Sequence, residues 1–301
     1  MSFLDEEIRC EYKVESWRKK LWQIEIDLFM FFDDICKKYD IEYFFIAGSA
    51  LGATRHKGFI PWDDDIDIGM LRPELDKFLA VAENHLPQNI FLSTGNNEDK
   101  RFDGLIRLRD KNSTGVIVDE VFKDCNKGVF IELYPFDNVP NSRLLRKIQA
   151  FKSRFYYHAL CSYCYRKKGF KEALFRSYTN LFSYNKVYRK YIKNCTKYNK
   201  KNTIYVDTPA LPMYQKGEIN LYFYSDVKET EYVDFEYIKV KIPKGNDRCL
   251  KIMFGDYMQL PPIEERGAHH NQYVYYDPYK SYNEYTNEEL YFKLKEQNKN
   301  E

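Results

Sequence analysis

Apolar and polar positions change period repeatedly along the first half of the chain, and each change marks an element. Over residues 14–38, Trp17, Leu21, Ile24, Leu28, Phe31 and Ile35 recur every third or fourth position with charges between them, which predicts an amphipathic helix. Residues 41–47 are a short apolar and aromatic run, read as a buried strand. Gly48-Ser49 breaks that run and residues 50–56 open a helix. Pro61-Trp62 leads into a predicted strand over 64–70, and Pro73 sits where a helix starts, with Leu75, Phe78, Leu79 and Ala82 on one face. Further strands are predicted at 90–93, 105–108, 114–118 and 128–134, the last closed by Pro135.

Residues 141–201 read as helical, with Leu144, Ile148, Phe151, Phe155 and Ala159 forming an apolar stripe. The chain then turns strand-rich at 203–206, 221–224 and 232–242, followed by a short helix near 248–254 and an irregular stretch from Pro261-Pro262. This order predicts an α+β fold. A mixed sheet flanked by helices occupies 1–140, a helical insertion 141–201, and a strand-rich C-terminal part 202–301 completes the active site.

Charge sharpens the picture. The chain of 301 residues carries a net +2, but residues 141–201 hold 17 Lys and Arg against one acid, Glu172. That segment is +16 and the remainder −14, an acidic body with one basic limb. An apolar stripe within so basic a segment suits peripheral contact with an anionic membrane. No stacking motif accompanies the charge, so no nucleic-acid partner is expected. The acidic N-terminus, the lack of a 20-residue apolar run and seven scattered cysteines predict a cytoplasmic protein, placed peripherally on the inner face of the cell membrane.

The candidate chemistry lies between residues 48 and 67. Asp63-Asp64-Asp65-Ile66-Asp67 puts four carboxylates in five positions. On a strand Asp65 and Asp67 share a face, about 7 Å apart, with Asp63 nearby, while Ile66 and Ile68 point into the core. Carboxylates so placed repel unless a divalent cation sits between them, and Mg²⁺ favours one or two carboxylates plus phosphate oxygens. A calcium loop is excluded, because Ile68 stands where such a loop requires glycine and Pro73 interrupts it. One strand earlier, Gly48-Ser49 at the start of a helix offers backbone N–H groups to a phosphate, and Arg55, His56 and Lys57 add positive charge. Glu132 alternates with Ile131 and Leu133, so a third acid faces out of a buried strand, where it could ligate metal or accept a proton. Arg107 and Arg109 alternate on a strand and could face the same pocket. His269-His270 could bind phosphate or metal. His158, Cys161 and Cys164 have metal-like spacing without a second pair.

The stretch Gly48-Ser49-Ala50-Leu51-Gly52-Ala53-Thr54-Arg55-His56-Lys57-Gly58-Phe59-Ile60-Pro61-Trp62-Asp63-Asp64-Asp65-Ile66-Asp67 closely resembles the LicD family of phosphocholine transferases, to which the fukutin-related enzymes are also similar. Residues 131–140 resemble the family's D-I-F-P-L-D-G-V-P segment, with Glu132 where Asp is usual. Tyr257-Met258-Gln259-Leu260-Pro261-Pro262 followed by His269-His270 resembles its C-terminal ending. The resemblance implies a nucleotidyltransferase-like fold and transfer of a phospho-alcohol, phosphocholine foremost, from a CDP-activated donor to a sugar hydroxyl of a cell-surface glycan precursor, lipid-linked or free, releasing CMP. It implies Asp65, Asp67 and Glu132 as metal ligands and catalytic residues, with Mg²⁺ (or Mn²⁺) as the ion. Gly48, Ser49, Arg55, His56, Asp63, Arg109, His269 and His270 become the substrate-binding set. The alternative is a nucleotidyltransferase that places NMP on a small molecule or protein.

Overall fold

The computed structural model describes the chain apart from residues 1, 98–101, 103, 118–119, 122, 165–169, 212–220, 268–272, 291 and 293–301. A small hairpin, β1 (Glu7–Arg9) and β2 (Tyr12–Val14), precedes the long helix α1 (Ser16–Tyr39). Its predicted apolar stripe is buried at Leu21, Ile24, Leu28 and Ile35, joined by Trp22, Phe29 and Phe32, and it packs across the sheet. Asp40, in the left-handed region at φ 51, ends it and returns its N–H to the Cys36 carbonyl.

The chain continues as β3 (Phe44–Phe45), α2 (Ala47–Arg55), β4 (Asp67–Leu71), α3 (Arg72–Ala82), β5 (Ile90–Ser93), β6 (Ile106–Asp110), β7 (Thr114–Val116) and β8 (Phe130–Val139). The three limb helices are α4 (Arg143–Cys164), α5 (Phe170–Leu181) and α6 (Tyr184–Cys195). After them come β9 (Tyr205–Asp207), β10 (Tyr222–Phe223), α7 (Tyr224–Val227), β11 (Thr230–Phe235), β12 (Ile238–Pro243), α8 (Asn246–Phe254) and β13 (Tyr275–Asp277). The fold is α+β. Seven strands form a mixed sheet ordered β10-β9-β8-β4-β3, with β6 also on β8 and β5 beyond it. β4 and β8 run parallel, with Asp67 opposite Glu132, while β3 and β4 are antiparallel.

Two expectations fail for identifiable reasons. Pro135 does not close β8, which continues to Val139. One edge of β8 is shared between two strands: Phe130–Leu133 pairs with β6 and Asp137–Val139 with β9. Glu132 sends its N–H to the Ile66 carbonyl on the β4 side, so residue 135 faces the opposite edge, in the gap between β6 and β9. A missing N–H costs nothing there. The single strand expected over 232–242 is the hairpin β11–β12. Its turn at Glu236, φ 50, is held by the Glu236 N–H to the Lys57 carbonyl (2.7 Å) and by Arg9 gripping both oxygens of the Glu236 carboxylate (2.5 and 2.8 Å). Nothing local in the sequence announces that turn.

The limb helices pack around Ala159, Leu160, Val187, Tyr191 and Cys195, with Phe102 and Ala210 added from the body. Asn199 ties them to the sheet. Its amide donates to Asp137 (2.6 Å) and its carbonyl oxygen accepts from the Asn138 N–H (2.8 Å). Asp137 is itself gripped by Arg72 at 2.7 and 2.9 Å. Among the described residues no helix is long and apolar enough to cross a membrane.

Candidate active site

The aspartates lie where three elements meet. β4 begins at Asp67, so Asp63 to Ile66 form an extended lead-in instead of the strand expected from residue 64. That lead-in is fixed from outside. The Asp63 carbonyl accepts from the Arg18 guanidinium and from the Trp22 indole N–H, both at 2.9 Å from α1. The Ser49 hydroxyl accepts the Asp67 N–H at 2.7 Å, and Ile46 donates its N–H to the Asp67 carbonyl at 3.1 Å. Ile66 and Ile68 are fully buried, as the alternation requires.

A cavity of about 780 Å³ opens against this segment. Its lining includes Gly48, Arg55, Asp63, Asp65 and Asp67, Tyr134 and Phe136 from β8, Tyr222 from β10, and Met253, Tyr257 and Gln259. Burial raises the acids of Asp65 and Asp67 well above the usual carboxylate range. Asp67 and then Asp63 press further on Asp65, while Glu132 and Asp63 press on Asp67. Asp67 Oδ1 is buried without a hydrogen-bond partner among the described residues. An orphaned carboxylate oxygen inside a cluster of like charges is what a bound cation would relieve. Among the described residues no three His, Cys, Asp or Glu side chains close around one point. Asp65 and Asp67 are the cavity residues that could hold a cation, and Mg²⁺ accepts one or two carboxylates with substrate oxygens and water completing its shell.

The other candidates divide. Helix α2 starts at Ala47, three residues before the expected position, and its first intrahelical bond runs from the Ala50 N–H to the Ile46 carbonyl. The N–H groups of Ala47, Gly48 and Ser49 thus precede the helical ladder, beside the acids. The Ser49 hydroxyl is committed to the Asp67 backbone, so Ser49 brings only its N–H to a phosphate. Arg55 lines the cavity. Its Nη1 donates to the carbonyls of Tyr257 (2.7 Å) and Gln259 (3.1 Å), which draws the C-terminal segment onto the site.

Three expectations are corrected. His56 does not line the cavity and adds no charge, since burial, then Arg55 and Arg9, lower it to about 4. Its Nε2 accepts from Arg55 Nε at 2.9 Å, so it positions Arg55 from behind. Arg109 is fully buried away from the cavity. It donates to Glu120 (2.6 Å) and to the Gly128 carbonyl (3.2 Å), with its guanidinium over the Phe130 ring. Glu132 sits opposite Asp67, but Arg107 holds one of its oxygens (2.6 Å) and the Tyr134 hydroxyl the other (2.8 Å), and it does not line the cavity. Its charge reaches Asp67 while its carboxylate is occupied. His269 and His270 lie outside the described residues.

Sequence reading missed Arg18 and Trp22, which anchor the acidic loop from half a helix away. It also missed Asp207 at the cavity border. One Asp207 oxygen accepts the Thr208 N–H (2.7 Å), the other has no partner among the described residues, and burial pushes the acid up to about 7. An acid ending an apolar strand, Tyr205-Val206-Asp207, was the available signal.

Residues 40–157 match the family model described as LicD/FKTN/FKRP, nucleotidyltransferase domain. Over these residues the chain is similar to the LicD family. It is 27% identical over 260 residues, 83% of its length and 94% of the relative's, to lipopolysaccharide cholinephosphotransferase LicD of Haemophilus influenzae. Shorter matches reach uncharacterised proteins of Rickettsia typhi, 44% identical over 55 residues (18% of this chain, 16% of the relative), and of Rickettsia prowazekii, 34% over 71 residues (23% and 25%). The LicD-family match spans the Gly48 turn, the acidic loop and β8, which bring Gly48, the aspartates, Tyr134 and Phe136 to the cavity lining.

Proposed function

We propose that this protein transfers phosphocholine from CDP-choline to a sugar hydroxyl of a cell-surface glycan, releasing CMP. The observation that carries the reading is the meeting of Asp65 and Asp67, an orphaned carboxylate oxygen and the open start of α2 in one cavity. The likeness to a lipopolysaccharide cholinephosphotransferase supports the choice of group and acceptor.

Asp65 and Asp67 are the residues that would hold Mg²⁺, which when bound neutralises the donor's diphosphate and polarises its phosphorus–oxygen bonds. The N–H groups at the start of α2 and the Arg55 guanidinium bind the phosphate oxygens. Asp63 lines the same wall, anchored through its carbonyl to Arg18 and Trp22. Phosphoryl transfer asks a protein mainly for position and charge stabilisation, and these groups supply both. The aromatic wall of Tyr134, Phe136 and Tyr222 offers ring faces to a trimethylammonium group.

The test is CMP release by the wild-type protein, Asp65→Asn and Asp67→Asn, with CDP-choline, CDP-glycerol and CDP-ribitol in the presence of Mg²⁺. Choline-labelled donor and purified lipopolysaccharide report where the group goes. Either variant should lose roughly 100- to 1000-fold in rate and keep its fold. Full activity in either would remove the aspartate pair from the chemistry, and nucleotide in place of choline on the acceptor would show attack at the nucleoside-bearing phosphorus, with phosphocholine as the leaving group.

A further inference from the structure

Helix α4 buries two polar residues alongside Ala150, Ala159 and Leu160: Gln149 is 2% and Ser153 0% exposed. Both are satisfied by α6. Gln149 donates to the carbonyls of Asn194 (3.0 Å) and Cys195 (3.1 Å), and the Asn194 amide returns bonds to the Gln149 carbonyl (3.1 Å) and Ser153 Oγ (2.8 Å). This network fixes which side of α4 faces inward. Its opposite side carries Leu144, Ile148 and Phe151, exposed at 68, 43 and 73%. At 3.6 residues per turn, Leu144, Ile148 and Phe151 fall within roughly 60° of arc. Arg143, Lys147 and Arg154 border that arc on one side and Lys152 on the other. All four are exposed, and none makes an ion pair among the described residues. The sequence stripe from Leu144 to Ala159 thus serves two surfaces. Ala159 enters the limb core, while Leu144, Ile148 and Phe151 face out.

Among the described residues that apolar face has no partner, and an exposed apolar patch rimmed by charge marks a contact surface. We propose that the N-terminal half of α4 docks on an anionic lipid surface, with Leu144, Ile148 and Phe151 entering the headgroup region and the flanking bases meeting lipid phosphates. The surrounding segment from Asn141 to Lys201 carries +16 with Glu172 its sole acid. Anionic lipid supplies hydrocarbon and negative charge in one plane, which matches an apolar strip edged by bases on both sides. This proposal stands apart from the chemistry of the cavity, whose walls contain no limb residue.

The test is co-sedimentation of the full chain with vesicles of phosphatidylcholine alone and of phosphatidylcholine mixed with phosphatidylglycerol, at low and high salt. The wild-type protein should bind only the anionic vesicles and release as salt rises. Leu144→Ser with Phe151→Ser, and separately Lys147→Glu with Lys152→Glu, should each weaken binding about tenfold or more while melting temperature and CMP release from a soluble acceptor stay unchanged. Absence of wild-type binding to anionic vesicles at low salt would overturn the proposal, as would undiminished binding in the Leu144/Phe151 variant. A self-associated species in sedimentation velocity that the same variant dissolves would instead assign the face to a second copy of this chain.

Discussion

Replacing Gly48 by alanine separates catalysis from stability more sharply than any other single change. A Cβ built on Gly48 would lie 2.6 Å from Asp63 Oδ2, against an ordinary contact distance of 3.4 Å or more, so the carboxylate must retreat by about 0.8 Å. The obstructing atom is the tip of a flexible side chain, and the retreat costs the fold little. Alanine also favours a helix over glycine by up to about 1 kcal/mol. At ~2.1 cal/mol/K per residue, 301 residues give about 0.6 kcal/mol per degree, so Gly48→Ala should melt within 1–2 °C of wild type, on either side. Catalysis does not share that tolerance, because a misplacement near 1 Å in a positioned charge costs roughly 100-fold. Thermal denaturation together with kcat/KM for CMP release tests both halves. Activity within threefold of wild type would refute the claim that the Gly48–Asp63 approach is set for chemistry. A large drop in melting temperature would show that the glycine serves folding instead.

Asp207→Asn should raise stability at alkaline pH. The folded acid sits at about 7 against an ordinary 3.8, so the fold retains a proton that the unfolded chain has lost. Stability tied to this group is full below pH 4, falls as pH rises towards 7 and stays low above it. The variant removes up to about 4 kcal/mol of that loss, or about 6 °C at pH 8, with no gain at pH 4; equal pH slopes for the two proteins would refute it. Arg107→Ala should destabilise by about 3–5 kcal/mol, because it breaks a buried ion pair with Glu132 (2.6 Å) and removes a charge 3.9 Å from Glu120. Arg107→Lys should fall between the two, since a single ammonium cannot reproduce the two-nitrogen grip on Glu132. A melting temperature unchanged in Arg107→Ala would show that water replaces the guanidinium.

The sequence by itself determined the elements whose signals are local. Period 3.6 over residues 14–38 returned α1 within two residues at each end, and β5 coincides with its expected bounds. The spacing from the Gly48 turn to the acids survives as one cavity wall, because strand, turn and strand are neighbours in the chain as well as in space. Charge counting located the basic limb, since net charge needs no coordinates. Tertiary structure alone decided which partner each charged group meets. Alternation placed Arg107 and Arg109 on one face, but only the pairing of β6 with β8 set them beside Glu132, Glu120 and Phe130 and took Arg109 out of the site. His56 reads as a cation in the chain, and burial against Arg55 makes it neutral. Pro135 reads as a stop until β6 and β9 leave a gap opposite it. The α4 stripe reads as one continuous face, and only the Gln149–Asn194–Ser153 network decides that its start faces outward while Ala159 enters the limb core. Periodicity records how a segment divides between inside and outside, whereas the contents of each side are fixed by contacts from residues far along the chain.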